Sequence, residues 1–248
     1  DIRDNILKAF ENAESEKDNV KKLSYLNFVI IGGGPTGVEL AGSIAELAYK
    51  NIKNEYRNFN IEDINVHLIE AGSAILPDYS KILSSKASKY LQKLGVNLKL
   101  NEKVLNIEKH KVTTEKESYS TNNIIWAAGN KANPLIEKLD TDVDKFGRVI
   151  VDDDFSIKNS NSIYVIGDAA NYKNNNGNTL PGIAPVAIQQ GKYLAKMLTT
   201  DKSLRRKKIF HYRDKGMMAT VGGFKAIGVI GKFQISGLLA WLFWRLIH

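Results

Sequence analysis

Apolar residues run unbroken at Phe28-Val29-Ile30-Ile31 and stop at Gly32-Gly33-Gly34-Pro35. A solid apolar run closed by turn residues predicts a strand buried on both faces. Helical spacing resumes after the glycines and predicts a long helix over roughly 36–56, with Pro35 suited to its first turn. Val66-His67-Leu68-Ile69-Glu70 is a second short apolar strand. Ile82, Leu83, Ala87, Tyr90, Leu91 and Leu94 fall at helical spacing. They predict a helix over 81–94 that Gly95 ends. Alternation over 96–100 predicts a strand, and 104–119 reads as two or three short antiparallel strands. Residues 123–127 read as a buried closing strand. Ahead of all this, Ile6, Leu7, Phe10 and Ala13 predict one charged helix over 1–23.

Beyond residue 129 the pattern changes. Residues 146–151 resemble a hairpin arm. Residues 162–166 read as a buried strand running into Gly167-Asp168-Ala169-Ala170. A polar loop at 174–178 and a helix over 183–198 follow. From Met217 the chain turns apolar and glycine-dotted. The alternation of strands and helices makes this an α/β protein with a Rossmann-like parallel sheet.

Two places carry candidate chemistry. Gly32-x-Gly34-x-x-Gly37 lies between a strand and a helix, which is the context a dinucleotide fingerprint requires. Gly32 allows the turn, Gly34 lets a pyrophosphate approach the backbone, and Gly37 lets helix and strand pack closely. The helix N-terminus at Pro35-Thr36 offers free N–H groups to phosphates. Glu70, ending the second strand, can accept both ribose hydroxyls of an adenosine and repel a 2′-phosphate, which favours NAD over NADP. It lies further on than the usual ~20 residues, and a long first helix would account for the excess. A solvated strand-end charge is the competing reading. The second place is Gly167-Asp168, where an aspartate after a strand serves either a ligand or a helix N-cap.

Composition narrows the field. The chain has 248 residues, a net charge of +8 and 43% hydrophobic residues, enough for one large or two ordinary domains. It has no cysteine, which excludes a disulfide scaffold, a thiolate metal site or a redox-active pair within these residues. The four histidines show no metal-ligand spacing. Arg205-Arg206-Lys207-Lys208 reads either as a solvated face or as attraction to anionic lipid. No nucleic-acid motif is visible, so nucleic acid is not an expected partner. The chain starts at Asp1 and stops at His248, and both ends read as cuts through a longer protein.

The order of glycine fingerprint, strand-end acid, Ala128-Gly129, Gly167-Asp168 and a helix near Ala184-Pro185-Val186 is the layout of the two-dinucleotide flavoproteins. The chain also carries Trp126-Ala127-Ala128-Gly129-Asn130 and Ala187-Ile188-Gln189-Gln190-Gly191 and, much more specific, Tyr212-Arg213-Asp214-Lys215-Gly216 and Ser236-Gly237-Leu238-Leu239-Ala240-Trp241. With them the chain resembles the type II NADH dehydrogenases, non-proton-pumping NADH:quinone oxidoreductases carrying FAD. The resemblance implies that Gly32, Gly34, Pro35, Thr36, Gly37, Glu70, Ala128 and Gly129 hold NADH. It implies that Gly167, Asp168, Ala184, Pro185 and Val186 hold FAD. Glu39 is the implied catalytic residue near nicotinamide and flavin. Gln189, Gln190 and Lys215 are the implied quinone contacts. Many members carry Gln where this chain has Pro185, so that contact is lost here.

The same resemblance divides the chain. Residues 1–24 and 131–204 belong to a discontinuous FAD domain, 25–130 form an inserted NADH domain, and 205–248 are a membrane-associating region. Residues 233–247 are too few for a span, which needs ~20 apolar residues. Trp241 and Trp244 suit a membrane interface, and a core helix or a homodimer interface is the competing reading. The expected location is peripheral, on the cytoplasmic face of an inner or plasma membrane. The competing function is a soluble NAD(P)H-dependent flavoprotein reductase of disulfide or ferredoxin type. Without an N-terminal flavin half, these 248 residues alone are expected to bind FAD weakly and to be inactive.

Overall fold

A computed structural model describes residues 2–52, 55–129, 131–174, 176–200 and 209–247. Helices α1 (Ile2–Ser15) and α2 (Asn19–Leu26) lead into β1 (Asn27–Ile31), α3 (Pro35–Glu46), β2 (Asn65–Glu70), α4 (Lys81–Lys93) and β3 (Val96–Leu100). A meander of β4 (Val104–Glu108), β5 (Lys111–Thr114) and β6 (Ser118–Ser120) precedes β7 (Asn123–Trp126). Then come β8 (Val149–Ile150), β9 (Ser156–Ile157), β10 (Ser160–Tyr164), β11 (Ala170–Asn171) and α5 (Ala184–Thr199). The last elements are β12 (Met217–Thr220), β13 (Ala226–Ile230), β14 (Phe233–Gly237) and α6 (Leu238–Ile247).

The chain forms two compact units, Asp1–Gly129 with Gly216–His248, and Asn130–Lys215. In the first, a parallel sheet has the order β3-β2-β1-β7. The central strands β1 and β2 bury residues on both faces, since successive side chains point to opposite sides. Phe28, Ile30, Val66 and Leu68 meet Val38, Ala41 and Ile44 of α3 and Leu83, Ala87 and Leu91 of α4. Val29, Ile31 and Ile69 meet Val112 and Tyr119 of the meander on the other side.

Several expectations change. The single helix over 1–23 is two helices, because Asp18 caps α2 by accepting from the N–H groups of Val20 and Lys21. The helix after the glycines does not reach residue 56: α3 ends at Glu46 and one π-helical stretch, Leu47–Asn51, finishes it. That wider turn seats Tyr49, whose hydroxyl donates to the Ile64 carbonyl and whose ring lies against Gly95. The closing strand β7 is only half-buried, and Trp126 is 59% exposed.

The ends of the chain pack differently from the expected division. Ile6, Ala9, Phe10 and Ala13 of α1 join the core around Phe28. So do Ala219, Val221 and Ile227 from the antiparallel sheet β12-β13-β14. Residues 2–15 and 217–237 therefore complete the first unit's core. Residues 233–237, expected to continue an apolar helix, are strand β14. The basic run 205–208 and Asn130 lie outside the described residues.

In the second unit, β8 pairs in parallel with β11, and β9 pairs with β10. The expected strand over 162–166 starts earlier, at Ser160, and is not buried: β10 has one partner in a two-stranded sheet, and Ile163 is exposed. Helix α5 lies where the spacing placed it. Val186 packs with Phe155, Tyr172, Leu180 and Phe210.

Candidate dinucleotide-binding site

Each glycine of the fingerprint meets a different constraint. Gly32 has φ +111°, and a Cβ there would lie 2.8 Å from the Ala128 nitrogen. A side chain at Gly37 would meet the Gly32 carbonyl oxygen at 1.8 Å, so helix and loop close only around a bare Cα. Gly34 is the opposite case: a Cβ there would have nothing within 4 Å. It has ordinary extended backbone and caps α3 without a side chain, leaving the first-turn N–H groups of Thr36 and Gly37 uncovered by a cap, Pro35 having none. Pro35 and Thr36 are exposed on that turn.

Glu70 sits beside this loop. One carboxylate oxygen accepts from Gly33 N–H at 2.6 Å and the other from Gly72 N–H at 2.6 Å. The acid is therefore held by two backbone donors and tied to the glycine turn. Ala128 and Gly129 follow β7 at the same end of the sheet. Gly129 has φ +68° and open space at its Cβ position.

Glu39, one turn into α3, is half-buried. Its Oε1 accepts from both the backbone N–H and the hydroxyl of Thr220, each at 3.1 Å. Burial, and after it the Glu39 charge, pushes the nearby Tyr79 phenol up to about 12. The Thr220 contact had no signal in the sequence, because the partners are 181 residues apart.

The second unit holds the remaining residues. Gly167–Ala169 form a 3₁₀ turn in which Gly167 has φ +68° and Asp168 is exposed. Asp168 caps no helix here, and Gly182 lies beside it, a Cβ there falling 3.4 Å from the Asp168 carboxylate. Ala184, Pro185 and Val186 form the first turn of α5, which no side chain caps. The exposed acid, the bare turn and the uncapped helix end fit the ribityl and phosphate part of a flavin dinucleotide.

The two glutamines engage different segments. Gln189 donates to the Arg213 carbonyl and accepts from the Arg213 N–H, both at 3.0 Å, holding the segment before Lys215. Lys215 itself is exposed. Gln190 is 1% exposed, and its Oε1 accepts from Gly167 N–H at 2.6 Å. Gln190, the second expected quinone contact, is therefore buried and engaged with the Gly167 turn.

A parallel strand, a glycine turn with one open position, a helix N-terminus and a strand-end acid together define a dinucleotide-binding unit of Rossmann type. Residues 3–191 match the family model of the pyridine nucleotide-disulphide oxidoreductases, and the chain belongs to that family. The family's members are FAD flavoproteins that use a pyridine nucleotide.

Two relatives from Mycobacterium tuberculosis are the type II NADH:quinone oxidoreductases Ndh and NdhA. They are 35% and 34% identical, and each alignment takes in 100% of this chain and 55% of the relative. The chain thus spans about half the length of these curated relatives. The structure of NDH2 from Plasmodium falciparum in complex with NADH matches 99% of this chain and 66% of its own, with TM-score 0.88 and 19% identity, a likeness of fold.

Proposed function

We propose that the full-length protein is an FAD-dependent NADH:quinone oxidoreductase that works without pumping protons and attaches peripherally to a membrane. The observation that carries this reading is the reach of the 35% identity. It covers the whole chain, including residues 192–248, which the broader family model does not match.

FAD, when bound, supplies the redox chemistry, accepting hydride from NADH and passing two electrons to a quinone. The chain's own residues bind and orient. The open backbone at Gly34 and the uncapped turn at Pro35-Thr36 receive the NADH pyrophosphate. Glu70, fixed by Gly33 and Gly72, takes the adenosine ribose and disfavours a 2′-phosphate. Asp168 and the first turn of α5 serve FAD. Glu39 lies on the nicotinamide side, and the segment held by Gln189 presents Lys215 to the quinone.

Membrane attachment rests on α6. Leu239, Leu242, Phe243 and Leu246 recur at i, i+3, i+4 and i+7 and are all exposed, while Ala240 is buried. An exposed apolar stripe beside Trp241 and Trp244 fits a helix lying in a bilayer interface. No helix among the described residues is long and apolar enough to cross a membrane.

The test is Glu70→Ala in the full-length, FAD-loaded protein. The KM for NADH should rise about tenfold, as expected for losing a charged hydrogen-bond acceptor, with kcat nearly unchanged. An unchanged KM would remove Glu70 from the NADH site.

A further inference from the structure

We infer that Gln190 is a positioning residue for FAD: it seats the Gly167-Asp168 turn and makes no contact with the quinone. This rests on the reading that the turn serves a flavin.

Both ends of the contact lie within the second unit. Gln190 is on the second turn of α5 and is 1% exposed. Its Oε1 takes the Gly167 N–H at 2.6 Å, at the short end for a neutral hydrogen bond. One turn earlier on the same helix face, Ala187 abuts the turn: a Cβ built on Gly167 would be 3.2 Å from the Ala187 Cβ. Contact and hydrogen bond together dock the turn on α5 at two points. The Gly167 N–H stands in a tight turn against a buried side chain and needs an acceptor there. Gln190 is that acceptor. The next residue, Asp168, is left exposed in a fixed place relative to the N-terminus of α5.

The neighbouring Gln189 has a different task. Its amide closes two hydrogen bonds on Arg213. Consecutive positions on a helix point about 100° apart, so two adjacent glutamines fasten two separate segments.

The experiment uses the full-length protein, stripped of FAD and titrated with it, following the quenching of flavin fluorescence. Gln190→Met keeps the size of the side chain and removes the acceptor. One unpaired buried N–H corresponds to FAD binding about tenfold weaker. Once saturated with FAD, this variant should show the wild-type KM for a short-chain quinone. Gln190→Glu keeps an acceptor at the same reach and should restore affinity to within a few-fold of wild type, with the visible circular dichroism of the bound flavin restored as well.

Wild-type FAD affinity in Gln190→Met would overturn the inference. So would a raised quinone KM in the saturated variant, or a Glu variant as weak as the Met variant. Should Gln190→Met not fold, amide exchange at Gly167 in the wild type decides. Protection like that of the α5 interior supports the bond, and exchange at the rate of an exposed loop overturns it. A wild-type protein that binds no FAD refutes the flavin reading itself, a separate outcome.

Discussion

Three glycines of one motif carry different loads, and substitution separates them. Gly37→Ala places a methyl 1.8 Å from the Gly32 carbonyl oxygen, so helix or loop must shift. A clash with backbone in a packed site costs about 3 kcal/mol. Gly34→Ala places the same methyl in open space on permissive backbone. It should melt within about 0.5 kcal/mol of wild type yet bind NADH at least tenfold more weakly, because the methyl fills the space meant for phosphate. Thermal melts and NADH titrations of both variants check this. A Gly34→Ala protein that binds NADH normally would contradict the assigned role. Much of this was legible in the sequence, since the spacing of Gly32, Gly34 and Gly37 already names a turn, an approach and a close contact. The partners of Glu70 and the separate tasks of Gln189 and Gln190 were not legible. Each depends on a backbone N–H or carbonyl that folding brings near, and such groups leave no mark on side-chain pattern.

At the scale of elements, α3 is the hub of the first unit. Along one face Glu39 holds Thr220, Gly42 lies against the Val221 carbonyl, and Glu46 accepts from Gly223 N–H. A Cβ on Gly42 would fall 2.8 Å from that carbonyl, so the helix and the end of β12 touch backbone to backbone. The helix that opens the proposed NADH site is thereby tied to the sheet that carries α6. A double-mutant cycle of Glu39→Ala and Thr220→Val should give a coupling energy of about 1–2 kcal/mol in thermal unfolding, as for a hydrogen bond to a charged group. Coupling near zero would show that Glu39 is not bound to the hairpin in solution. Local patterning found α4, α5 and the meander because each is made from neighbours in sequence. It gave no element over residues 217–237, which only the resemblance assigned, to a membrane-associating region. What decides their place is pairing with one another and packing on a helix some 180 residues away, a non-local contact that periodicity does not encode. The early end of α3 has the same origin, in Tyr49 reaching Ile64 and Gly95.

For the whole molecule, the first unit has the sheet order and glycine turn of a complete nucleotide-binding half. Helix α6 leaves it with one face packed on β13 and an apolar face exposed. On the proposed reading the acceptor is a lipid-soluble quinone, and the exposed apolar face of α6 would suit a bilayer surface. The measurement that tests the central claim most directly is NADH oxidation by the full-length, FAD-loaded protein in mild detergent, with and without a short-chain quinone. The account predicts slow oxidation alone and at least tenfold faster turnover with quinone, with one quinone reduced per NADH consumed. Oxidation indifferent to quinone but stimulated by a disulfide or a ferredoxin would contradict it and place the protein among the soluble reductases of its family.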